Sequence, residues 1–106
     1  MDQATPAGDA RHVLKAARAV AAFLSDETGL RFQPLCWNEA LRAAIVGFDS
    51  VAGRHHRVAF SEELLTELSD DEIREILRAW WLPGQLLHPA YQPLLVTSEG
   101  LSDLQA

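Results

Sequence analysis

Ser69-Asp70-Asp71-Glu72 is a complete helix start, and it constrains the second half of the chain more firmly than any other run of residues. A serine at the N-cap accepts from the backbone N–H three positions on. A glutamate at that third position reaches back to the N-cap N–H, so two otherwise unpaired donors are satisfied reciprocally. The acidic first turn also suits the positive end of the helix dipole. Ile73, Ile76, Leu77 and Trp80 fall at i, i+3, i+4 and i+7, which defines a buried face. Asp70, Asp71, Arg74, Glu75 and Arg78 occupy the wet face, where they can pair along the helix. Pro83-Gly84 is expected to stop the helix. The spacing therefore predicts a helix over Asp70–Leu82 with a heavy aromatic end, Ala79-Trp80-Trp81-Leu82-Pro83.

The first quarter of the chain carries a second periodic run. Thr5-Pro6 reads as an N-cap followed by proline at the first helical position. Ala10, Val13, Leu14, Ala17, Val20, Ala21 and Leu24 then repeat at helical spacing, with Arg11, Lys15 and Arg18 on the opposite face. This predicts an amphipathic helix ending near Ser25, before Gly29. Arg31 to Trp37 is apolar-rich but interrupted by Pro34, as an edge strand or irregular extended segment would be. Asn38 to Ala44 is ambiguous between a short helix and a strand. Ala43–Ser50 and His55–Phe60 read as a hairpin turning at Gly53. Ser61-Glu62-Glu63 opens a short helix with Leu64, Leu65 and Leu68 on one side. Leu94-Leu95-Val96 is a candidate short strand, and Ser102-Asp103-Leu104 a frayed turn.

A length of 106 residues fits one domain with one core, spanning 1–106 with 1–8 and 98–106 as flexible ends. The apolar share of 48% is ordinary for a globular chain. No apolar run reaches the ~18–20 residues that span a bilayer, and the N-terminus lacks the pattern of a signal peptide, so a cytoplasmic location without membrane contact is expected. A formal charge of −6 disfavours binding to nucleic acid, because phosphate contact needs a basic surface and only Arg54-His55-His56-Arg57 is locally basic. Cys36 is the single cysteine. That excludes an internal disulfide, and its apolar neighbours Leu35 and Trp37 point to a small buried residue rather than a reactive thiol.

Leu68-Ser69-Asp70-Asp71-Glu72-Ile73-Arg74-Glu75-Ile76-Leu77 resembles the approach to the active helix of HExxH zinc metallopeptidases. Val58-Ala59-Phe60-Ser61 with Leu64-Leu65 resembles the strand and short helix before it. Trp37-Asn38 with Leu41-Arg42 and Gly47 resembles the tryptophan–asparagine segment of the SprT-like family. Together these cover about Cys36 to Pro83. The resemblance implies a zincin-like scaffold on which two histidines, at i and i+4 on one helix, hold zinc and a glutamate between them activates its water. In register those positions are Ala79, Trp80 and Pro83, none of which can ligate zinc or take a proton from water. The resemblance is therefore to a degenerate scaffold without its metal motif. An unrelated α+β order of the same elements, or a sequence altered at this point, gives the same run.

The other candidate chemistry is sparse. A metal site needs at least three converging ligands, whereas His12 lies on a polar helix face, His55 and His56 would point to opposite faces of a strand, and His88 precedes a proline. Ser61 and Ser69 read as helix caps, and no glycine-rich phosphate loop is present. The expected fold is α+β: an N-terminal helix and the Asp70–Leu82 helix packed on one face of a small, mainly antiparallel sheet. The expected function is a non-catalytic interaction module without a cofactor. Trp80, Trp81, Leu82, Leu86 and Leu87 would form the surface for a protein partner or a homodimer. The alternatives are a hydrolase or metalloenzyme with unrecognised ligands, such as His55, His56 or His88, and a small acidic inhibitor or decoy.

Overall fold

The computed structural model describes residues 4–50 and 53–104. Helix α1 (Ala4–Thr28) is followed by strands β1 (Arg31–Phe32), β2 (Cys36–Asn38), β3 (Ala43–Asp49) and β4 (His55–Ser61). Three helices come next, α2 (Glu62–Glu67), α3 (Asp70–Ala79) and α4 (Leu82–Leu86), and strands β5 (Leu94–Thr97) and β6 (Gly100–Asp103) complete the chain. The six strands form one sheet in the order β1-β3-β4-β5-β6, with β2 also paired to β3. Among the described residues, only β4 and β5 run parallel. A parallel pair needs a long crossover, and the helical segment α2–α4 supplies it. The fold is α+β, with helices packed against a mainly antiparallel sheet.

Pleat alternation makes the sheet one-sided. Val46 pairs with Val58 and Phe48 with His56, and both pairs point toward the helices. Val96, opposite Phe60 on the parallel neighbour, joins the same face. Val13, Ala17, Val20, Ala21 and Leu24 of α1 cover this layer, and the alanines let the helix approach closely. Helix α1 packs along β3 and β1, α2 along β4 and β5, and the main neighbours of α3 are α1 and α4. The capped helix thus joins the core mainly through other helices. Its Arg78 meets Glu27 of α1 at 3.4 Å and lies 5.1 Å over the Phe23 ring.

Both serine caps form as the sequence predicts. Ser61 Oγ accepts from Leu64 N–H, Ser69 Oγ from Glu72 N–H, and Glu72 Oε1 from Ser69 N–H. The β3–β4 hairpin also forms, in register from Ala43↔Ser61 to Asp49↔His55. Pro34 divides the Arg31–Trp37 segment into β1 and β2, which share one edge of β3. The ambiguous stretch after Trp37 resolves into a turn rather than a helix. Asn38 Oδ1 accepts from Leu41 N–H, and Arg42 takes a left-handed conformation, φ 49°, before β3 begins.

Several boundaries differ from expectation. Helix α1, described from Ala4, already includes Thr5, expected as its N-cap, and continues to Thr28. It ends at Gly29, whose φ of +78° suits glycine and whose N–H donates to Ser25 O. Helix α3 stops at Ala79 rather than Leu82. Continuing it would drive the Pro83 ring into the Ala79 carbonyl. The chain instead reverses at Trp81 and uses Pro83 in the first turn of α4, where a missing N–H costs nothing. Gly100–Asp103 is a strand paired with β5, not a frayed turn. Of the ends expected to be flexible, residues 1–3, 105 and 106 lie outside the described residues. Among the described residues no helix is long and apolar enough to cross a membrane.

Candidate functional site

The three positions where the zinc motif would fall are separated by a break in the backbone. Ala79 is the last residue of α3, Trp80 is its C-cap, and Pro83 belongs to α4. Two ligands at i and i+4 share a helix face only while the helix is continuous. Trp81 interrupts it with φ 60° and ψ 33°, a left-handed conformation that bulky residues rarely adopt. Among the described residues, no three His, Cys, Asp or Glu side chains group as a metal site requires.

The five residues expected to form an interaction surface divide between core and solvent. Leu82 and Leu86 are fully buried, and Trp80 is half-buried against the core. The α3–α4 break turns both leucines inward, so these two correct the expected surface. Trp81 keeps 72% of its surface exposed and Leu87 48%. The Trp81 indole lies over Gly84 and forms one wall of an open cleft of about 330 Å³ that Gln85, His88, Tyr91 and Leu94 help to line.

The other wall is anchored to the sheet by His56 and Tyr91. On β4, His56 faces the core and is only 7% exposed, on the opposite sheet face from His55 as strand alternation expects. Its Nδ1 lies 2.8 Å from Leu86 O. A carbonyl can only accept, so Nδ1 carries the proton and donates. The ring stacks on Tyr91 with centroids 4.8 Å apart, and the Tyr91 hydroxyl donates to Arg57 O at 2.7 Å. Burial raises the Tyr91 phenol pKa well above the ordinary range, partly opposed by a backbone hydrogen bond from Leu94. Sequence periodicity could reveal the inward position of His56, because Val58 and Phe60 share its face. Tyr91 sits in a loop without periodicity and gives no such signal.

The remaining candidates have other surroundings. His55 is exposed on the opposite sheet face from His56 and meets Asp49 at 3.0 Å. His88 Nδ1 accepts from Ala90 N–H at 3.0 Å, and His12 is an exposed residue of α1. Cys36 is exposed rather than buried, because β2 places it on the sheet face away from the helices. Trp37, Glu39, Arg42 and Glu62 form a surface cluster. Trp37 Nε1–H and the Arg42 guanidinium both donate to Glu39, and Arg42 also binds Glu62. The indole donor and then the guanidinium lower the Glu39 carboxyl pKa. The cluster ties the β2–β3 turn to α2, so the residues behind the tryptophan–asparagine resemblance have a structural role here. The chain matches no family model, no curated protein and no solved structure.

Proposed function

We propose that this protein is a non-catalytic interaction module, a degenerate relative of a zinc-metallopeptidase scaffold that binds a protein partner or a second copy of itself. One observation carries the reading: a strained, largely exposed tryptophan borders a concave cleft. A bulky side chain in the left-handed region costs on the order of 1–2 kcal/mol. Such strain gathers where binding rather than folding selects the residue. Exposed aromatic surface beside aliphatic surface is also the composition of binding hot spots. Leu87, at 48% exposed, is the other large exposed hydrophobic side chain of this segment.

Ala79, Trp80 and Pro83 offer no ligand or general base, which favours a binding role over a hydrolytic one. Metal analysis of the purified protein tests that choice. The reading expects no stoichiometric metal and no change in unfolding temperature with chelator. One chelator-sensitive zinc per chain, with hydrolase activity lost on His→Ala substitution at 55, 56 or 88, would replace it with the metalloenzyme reading.

A further inference from the structure

The described helices cover one face of the sheet, and the other face carries a polar network beside β1. Alternation turns Phe32, Phe48 and His56 toward the helices, so Arg31, Asp49 and His55 form one row on the opposite face. Gln33, Gly47 and Arg57 form the next row. Gln33 Nε2 donates to both Asp49 carboxylate oxygens, at 3.0 and 2.9 Å, and His55 Nδ1 lies 3.0 Å from Asp49 Oδ1. A carboxylate only accepts, so Nδ1 carries a proton and the neutral ring presents Nε2 as an acceptor. The His55 side chain is 64% exposed, which leaves that nitrogen open to a ligand.

We infer that His55, Arg57 and Arg31 bind a phosphate group, with Asp49 and Gln33 as positioning residues that hold the imidazole in the receiving tautomer. This goes beyond the interaction-module reading and uses a different surface. Among the described residues, neither arginine is in an ion pair, although the chain as a whole carries a charge of −6. Arg57 is two positions along β4 from His55, about 7 Å away. Arg31 is two strands across, about 10 Å away. Guanidinium groups on three-methylene stems span such gaps. Gly47 leaves the floor between them without a side chain; a Cβ there would fall 3.9 Å from His55 Cβ and 4.0 Å from Gln33 Cγ.

Guanidinium forks match the oxygens of phosphate and pair well with its charge. The imidazole adds a second criterion. A phosphate monoester loses its second proton at about pH 6, so near neutral pH phosphate and the imidazole can share one proton between oxygen and Nε2. Sulfate has the same shape but brings no such proton. The face therefore prefers phosphate to sulfate, a preference that arginines alone do not give.

NMR titration of the folded chain at neutral pH and constant ionic strength tests the inference, with inorganic phosphate, methyl phosphate and sulfate as probes. Phosphate is expected to shift the His55 ring and Arg57 guanidinium resonances saturably, and sulfate to bind more weakly. The tighter of the two phosphates shows whether the free ion or an ester is the ligand; saturation by neither overturns the inference. Arg57→Ala should weaken phosphate binding about tenfold, the loss of one charge-assisted bond. Arg18→Ala, an equal charge change at an exposed position of α1 across the sheet, should leave it unchanged. Asp49→Ala separates positioning from charge. If charge alone acted, removing a carboxylate would tighten both anions, whereas losing the hold on the tautomer should abolish the preference over sulfate. Equal effects of Arg57→Ala and Arg18→Ala, or a preference retained in Asp49→Ala, overturn the inference. None of these results bears on Trp81.

Discussion

The Trp81 indole rests so closely on the backbone of Gly84 that a Cβ at residue 84 would lie 3.0 Å from its Cδ2 and Cε2 atoms. Alanine there would normally favour helix α4 by about 0.5–1 kcal/mol relative to glycine. Here it must displace the ring, which is exposed and can move at modest cost. Gly84→Ala is therefore expected to change unfolding free energy by less than about 1 kcal/mol while shifting the indole N–H resonance of Trp81. An unchanged indole resonance would show that the ring does not depend on the glycine.

His56 and Tyr91 hold the cleft's inner wall to the sheet. His56→Phe keeps a ring on Tyr91 but leaves the Leu86 carbonyl without its donor, an expected loss of about 1–3 kcal/mol. Tyr91→Phe removes the bond to Arg57 O and the backbone contact from Leu94, at a more accessible position, and should cost about 0.5–1.5 kcal/mol. Urea unfolding of both variants gives the comparison, with His56→Phe expected to be the more damaging.

Tyr91 is the only tyrosine in the chain, which makes its ionisation directly observable. Burial raises its pKa above the ordinary 10.0 in the folded state. The neutral phenol is thus favoured by folding, and this stabilisation is fully present below pH 10. Above that the unfolded chain releases its proton while the folded chain keeps it, so stability falls as pH rises. Wild-type protein should lose stability above about pH 10, and Tyr91→Phe should lose less over the same range. Parallel curves for the two proteins would remove Tyr91 from the account.

The capping box of α3 is the feature most legible in the sequence, and its energetic role is separable. Ser69→Ala removes the acceptor for Glu72 N–H and is expected to cost about 1 kcal/mol by thermal or urea unfolding. A loss near zero would mean that Glu72 alone holds the first turn.

Legibility followed how local each signal was. Periodicity and capping placed α1, α2, α3 and the β3–β4 hairpin, because they depend on neighbours within one or two turns. The break at Trp81 was not legible in this way. Pro83 announces an end, but only tertiary packing decides that the chain reverses two residues earlier and turns Leu82 and Leu86 inward. Strand β6 is hidden for a related reason: Gly100–Asp103 has little strand character and becomes a strand by pairing with β5. Cys36 looked buried from its apolar neighbours, yet alternation along β2 sends it outward while Trp37 turns in. At the candidate surface, the exposed Trp81 and Leu87 were within reach of sequence reasoning, whereas the Tyr91–His56 stack joins residues too far apart in the chain to be read from it.

The central claim is that Trp81 serves binding rather than the fold, and the stability of Trp81→Gly tests it most directly. Glycine adopts a φ near 60° freely, and little buried surface is lost with a side chain that is 72% exposed. Urea unfolding in dilute solution is therefore expected to show a variant as stable as wild type, or more stable by up to about 1 kcal/mol. A loss of more than about 2 kcal/mol would show that the fold itself depends on Trp81, and would contradict the claim.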